Sequence, residues 1–203
     1  MTELPTPGAV LDYWIGPATN DNMAVSRLNK RWFIKSAETD KFIETQFGAT
    51  LEAVNDGLAE EWAMRGARGR LAAIIVLDQF SRNIHRGTPK AFAYDTFALA
   101  LSLDSLQSGD ADQLTEVERS FSLMPLEHSE ELSHQDTCVE RFETLASTCR
   151  PIFKSLCGNS LNYAHQHRDV IREFGRFPHR NQILGRKNTP EEEMYLAQPG
   201  AGF

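Results

Sequence analysis

RLAAIIVLDQFSRNIH, residues 70–85, decides how the chain folds. Leu71 to Leu77 is apolar on every side of a helix for two turns, so this segment belongs at the centre of a core rather than on its surface. It then runs without a break into Asp78, Gln79, Arg82 and Asn83. On a 3.6-residue period Asp78 and Arg82 share one face, Gln79 and Asn83 share the next, and Arg86 comes about a turn later. Polar groups that extend a buried helix stay at least partly buried and require partners. The spacing therefore predicts a polar pocket walled by apolar helices. The structural alternative is an intrahelical Asp78–Arg82 salt bridge with Asn83 capping the helix end.

Working outward, helical signals recur and no segment sustains the period-two alternation of a strand. Residues 38–66 space apolar side chains as successive amphipathic helices, with breaks expected near Gly48 and Gly57. Thr88 and Pro89 read as an N-cap and first helical position, and Thr189, Pro190 and Glu192 as a capping box. A helix from about Thr115 is expected to be disturbed at Pro125, and Pro178 should end the long helix before it. The expectation is an all-α fold of antiparallel helical hairpins joined by short turns, with residues 1–203 as a single domain.

Composition narrows the function classes. The chain has 203 residues, 41% hydrophobic and 24% charged, with a net charge of -7. Its pI near 5.4 argues against a nucleic-acid binder, which carries a dominant basic stripe. Cys138, Cys149 and Cys157 cannot all pair and match no zinc or redox spacing, so they read as structural thiols. The apolar run Leu71–Leu77 is too short to span a bilayer and the N-terminus has no leader pattern, so the expected place is the cytoplasm, without membrane contact. Charge by window alternates, at +4 for residues 61–90, -9 for 91–150 and +5 for 151–187.

The second basic window holds FGRFPHRNQILGR, residues 174–186. His179, Arg180 and Asn181 come after Pro178 on a turn, where side chains converge on something outside their own helix. Upstream, His167, Arg168, Asp169 and Arg176 crowd one helix, with Asp169 placed to orient a neighbouring arginine. Guanidinium forks recognise carboxylate or phosphate in a bidentate way. Arg82, Arg176 and Arg180 would hold an anion, Asn83 and Asn181 would supply directional hydrogen bonds, and Asp78 and Asp169 would orient the arginines.

In MPLEHSEEL, residues 124–132, His128 stands beside Glu127, with Glu130 near. These groups suit acid–base chemistry, although an acidic helix start explains the same letters. There is no H-E-x-x-H, nucleophile elbow, P-loop or G-x-G-x-x-G, so neither a metal nor another cofactor is expected.

Several long stretches resemble one family: VLDYWIGP from residue 10, LDQFSRNIHRGTPKAFAYD from 77, FSLMPLEHSE from 121, HRDVIREFGRFPHRNQILGRKNTPEE from 167, and the terminal PGAGF. They are similar to bacterial proteins of the domain-of-unknown-function family 924. The resemblance implies a helical array like that of tetratricopeptide proteins, and it implies no catalytic residues.

The residues allow three readings. The leading one is a partly buried Arg/Asn/His pocket for a small anionic molecule or an acidic peptide end. The second is a hydrolase or lyase with His128 or His179 as acid–base, Glu127 or Glu130 as partner, and arginines as a clamp. The third is a protein-interaction scaffold whose polar networks only cross-link helices.

Overall fold

The apolar run Leu71–Leu77 forms the buried middle of the computed structural model, which describes residues 3–202. Phe203, the last residue of the terminal PGAGF, lies outside the described residues. The α-helices are α1 (Pro7–Trp14), α2 (Asn22–Phe33), α3 (Ala37–Ala53), α4 (Ala59–Ala63), α5 (Ala67–Ile74), α6 (Ser81–Ile84), α7 (Asp95–Ser108), α8 (Glu116–Glu127), α9 (Leu132–Thr148), α10 (Lys154–Phe174) and α11 (Pro190–Leu196). Among the described residues every regular element is helical, and no helix is long and apolar enough to cross a membrane.

α5 continues through a π-turn, Ile75–Phe80, into α6, and every side chain from Leu71 to Ser81 is buried. α1, α4, α7 and α8 pack around α5, while α3 covers the π-turn and α6. Gly69 lets α4 approach, because a Cβ there would collide with the Trp62 carbonyl oxygen. The α9–α10 hairpin closes over α8. Trp14, Trp32 and Trp62 all belong to this main core, where Trp32 Nε1 donates to the Trp14 carbonyl at 2.7 Å. A separate small cluster of Val170, Ile171 and Phe177, flanked by Phe174 and Tyr195, holds the C-terminal segment to α10.

Four local expectations change. α3 runs through Gly48, because Ile43, Phe47 and Leu51 form a buried stripe across it that outweighs a cost of about 1 kcal/mol for one mid-helix glycine. The chain does kink at Gly57, where φ is 122°. Pro89 opens only a 3-10 turn, Pro89–Phe92, and α7 begins at Asp95; the Thr88 hydroxyl donates back to the His85 carbonyl instead of capping. α8 passes through Pro125 and ends at Glu127, because burial of Phe121, Leu123, Pro125 and Leu126 outweighs the one helical hydrogen bond that the proline removes. Consequently EHSEE is a helix end and a turn, not an acidic helix start.

Candidate functional site

The π-turn sets the site. One extra residue in the turn rotates the downstream residues relative to an uninterrupted helix, and it leaves Asp78 facing inward with 1% of its surface exposed. The Asp78 carbonyl is met by Arg82 Nη1 at 2.6 Å and by the Ser81 hydroxyl at 3.3 Å. Its carboxylate accepts from Gln79 Nε2 and lies 3.2 Å from Arg82 Nη1. Burial alone would raise the Asp78 pKa, but Arg82 and His128 outweigh it and hold the group well below the usual carboxylate range.

His128 reaches that carboxylate from the C-terminal end of α8. Its Nδ1 lies 2.7 Å from Asp78 Oδ1, and an ionised carboxylate can only accept, so Nδ1 carries the proton. His128 Nε2 makes no hydrogen bond among the described residues. Burial lowers the His128 pKa, with Asp78 opposing and Arg82 and Arg180 reinforcing, so the ring is neutral near pH 7. A second pair stands alongside: Glu127 Oε1 is 3.0 Å from His167 Nδ1, which also donates to the Tyr163 carbonyl at 2.8 Å. The two imidazole centroids are 6.3 Å apart.

The third side is the turn Pro178–Arg180. His167, Phe177 and His179 form a chain of rings at 5.6 Å steps. Burial, helped by Arg180, depresses the His179 pKa to about 4. Gly202 packs on this ring, where a Cβ added to the glycine would sit 3.0 Å from the His179 Cβ.

Arg180 is the uncompensated member. It is 7% exposed, with its guanidinium carbon 4.4 Å from the Phe177 ring centroid and 4.9 Å from that of Phe92. Among the described residues its nearest carboxylate oxygen, Asp95 Oδ2, is 3.7 Å away, beyond hydrogen-bond length. Both Asp95 oxygens are already taken by the Arg82 fork at 3.0 Å. Arg180 Nε is buried without an acceptor among the described residues. Burial, with Arg82 adding repulsion, brings the Arg180 pKa down to about 10. Taking a guanidinium out of water costs several kcal/mol; two aromatic faces at about 2 kcal/mol each and the charges of Asp95, Glu130 and Asp78 offset that only in part, since the pKa still falls. The residue is thus under-compensated by the described residues.

The other arginines of the two windows are occupied. Arg82 is locked between Asp78 and Asp95. Asn83 and Arg86 turn to Asp40 on α3, at 2.8 Å and at 2.6 and 2.8 Å. Arg176 and Asn181 bind Glu192, while Arg186 binds Glu130, Asn181 and the Phe177 carbonyl. Glu130 also accepts from the Phe177 N–H at 2.8 Å, so it is a structural anchor rather than a partner of His128. Arg168 contacts His165 and Asp136. Asp169 is exposed and pairs only with Arg172, so it orients no arginine of the cluster.

The structure therefore brings together Asp78, Gln79, Arg82, Glu127, His128, His167, His179 and Arg180, with Glu130 near enough to act on the charges of His179 and Arg180, and separates Asn83, Arg86, Arg168, Asp169, Arg176 and Asn181 from them. Phe92, Asp95 and Phe177 complete the cluster without any signal in the sequence, since a phenylalanine that faces a guanidinium reads like any core residue. Among the described residues no group of three or more His, Cys, Asp or Glu side chains has metal-binding geometry. A groove of about 270 Å³ lies elsewhere, beside Thr115, Glu116, Arg119 and Arg150. Its Arg150 and Glu116 saturate one another at 2.7 Å, which leaves it without the unmet charge that marks Arg180.

Comparison with known proteins places this geometry among proteins of unknown function. The family model described as "Bacterial protein of unknown function (DUF924)" matches residues 10–200. A solved structure, the protein of unknown function ATU0120 from Agrobacterium tumefaciens, is 30% identical with a TM-score of 0.77, over 95% of this chain and 97% of that one. No curated protein matches the chain.

Proposed function

The chain belongs to DUF924, a bacterial family of unknown function, and from its own side chains we propose that it binds a small anionic molecule, a carboxylate or phosphate, at Arg180. One observation carries this reading: a guanidinium 7% exposed that lacks a hydrogen-bond acceptor among the described residues. Arg176 and Arg186 of the same stretch do not resemble it, since each meets a carboxylate through two nitrogens. An anion would supply the missing acceptor, and the fork geometry suits two parallel oxygens. Phe92 and Phe177 fix the plane of the fork and exclude water beside it, which strengthens the attraction. The free carboxylate at the end of an acidic peptide satisfies the same geometry.

Titration calorimetry with succinate and with inorganic phosphate tests this. Wild type binds at least one of them, and Arg180→Ala weakens binding roughly 10- to 100-fold, the worth of a charge-assisted hydrogen bond at about 1.5–3 kcal/mol. Equal heats for wild type and Arg180→Ala would overturn the reading.

A further inference from the structure

The Asp78–His128 pair has a form that anion binding alone does not require. Here a carboxylate 1% exposed holds Nδ1 at 2.7 Å and fixes the tautomer, so that Nε2 is the basic nitrogen and carries no hydrogen bond among the described residues. The ring retains some exposure, with 18% of its side chain open. Aspartate behind Nδ1 with Nε2 free is the arrangement by which an imidazole takes a proton and is stabilised while it holds it.

No nucleophilic side chain among the described residues shares a hydrogen bond with His128. Ser81 donates to the Asp78 and Ala91 carbonyls, Ser129 pairs with His134, and burial keeps the Cys138 thiol protonated. The nucleophile left to a partly exposed ring is water. Arg180 is close enough to bear on the charge of His128, through the linked series His128–Asp78–Arg82–Asp95–Arg180 at 2.7, 3.2, 3.0 and 3.7 Å.

We propose that this protein is a hydrolase for short carboxylic esters that carry a second, free carboxylate, with His128 as general base, Asp78 as its positioning residue and Arg180 as the carboxylate anchor. The proposal rests on the anion-binding reading for its substrate class. In the reaction, His128 Nε2 takes a proton from water as the water oxygen bonds to the ester carbonyl carbon, whose π-electrons move to oxygen. Collapse of that oxyanion breaks the bond to the alcohol oxygen, and His128 returns its proton to the departing alkoxide. Ester and water become acid and alcohol, with no change of oxidation state. Asp78 stays ionised throughout and stabilises the imidazolium.

The test monitors hydrolysis of monoethyl succinate and of ethyl butanoate, a neutral ester of the same length, by proton NMR. The expected result is turnover of the charged ester at least roughly tenfold faster than of the neutral one, the worth of one charge-assisted contact. His128→Gln should lose that turnover while still binding succinate in calorimetry, and Arg180→Ala should lose the preference for the charged ester. Because a buried Asp78→Asn variant can fail to fold, nitrogen NMR of wild-type His128 near neutral pH supplies a second measure, with protonated Nδ1 and bare Nε2 expected. The pH profile of kcat should rise through an ionisation below the usual histidine value. Asp78 and Arg82 from the central helix, Glu127 beside the ring, His167 from α10, and His179 and Arg180 from the last turn all face that group. Wild type that binds succinate but leaves monoethyl succinate intact overturns the hydrolase and spares the binding site. Turnover with an undiminished preference in Arg180→Ala overturns the anchor instead, and an Nε2–H tautomer overturns the base.

Discussion

Arg180 and Arg186 stand six residues apart, and the fold treats their charges in opposite ways. Arg186 has five N–H groups and meets Glu130 twice, Asn181 and the Phe177 carbonyl, so its charge is used within the fold. Arg180 is more deeply buried and, among the described residues, meets only aromatic faces and a distant carboxylate. Substitution by methionine, of similar length and without charge, should therefore act in opposite directions. Arg180→Met removes an under-compensated ion and should leave stability unchanged or raise it by about 1–3 kcal/mol, whereas Arg186→Met strands Glu130 and should lower it by about 3 kcal/mol. Urea midpoints at fixed slope measure both. A stability gain that coincides with lost anion binding is the pattern expected where a fold keeps a costly group for its function.

At the scale of elements, α11 begins with Thr189 accepting from the Glu192 N–H at 3.2 Å while Glu192 accepts from the Thr189 N–H at 2.7 Å. Thr189→Ala should cost about 1 kcal/mol and Thr189→Ser much less, read as shifts in the thermal midpoint. This capping box was plain in the sequence because Thr, Pro and Glu at fixed offsets act locally. The break at Gly57, the end of α10 before Pro178 and the burial of Leu71–Leu77 were legible for the same reason. Thr88 and Pro89 show the limit of local signals, since the same pair of letters opened only a short turn before α7. Within the site, the Asp78–Arg82 contact comes from four-residue spacing. His128 meets Asp78 across fifty positions, and that meeting depends on where α8 ends, which Pro125 made hard to read. The π-turn leaves no letter pattern at all. Its extra residue is visible only once the helix is built.

Over the whole molecule, the acidic window 91–150 supplies counter-charge to the basic windows on either side. Asp95 takes Arg82, Asp110 takes Arg70 and Glu130 takes Arg186, while inside the acidic window Glu116 takes Arg150. Glu192, from the tail, takes Arg176. These pairings tie stability to acid. The hydrogen bonds from Arg176 lead the influences that bring the Glu192 pKa down to about 2. Burial opposes the same shift in Glu116, but Arg150 outweighs it and the value again falls to about 2. Both groups have folded pKa values below the unfolded value of about 4.3, so their contribution is present above that pH and is lost as pH falls toward 2. The urea midpoint should drop between about pH 5 and pH 2, and the double substitution Glu116→Gln and Glu192→Gln should flatten that dependence while lowering the midpoint near neutrality.

The three tryptophans lie in the main core, and the Val170, Ile171 and Phe177 cluster contains none. Indole emission will therefore report the loss of the helices around α5 and stay silent if the C-terminal segment peels from α10 first. Tyr195 meets Phe174 in a tilted contact, ring centroids 5.1 Å apart, within that cluster, so tyrosine absorbance or amide exchange at residues 177–196 is the signal that would catch such an early opening. A melt monitored by fluorescence alone would look like a single transition even where the ring and guanidinium of His179 and Arg180 had already been released to water.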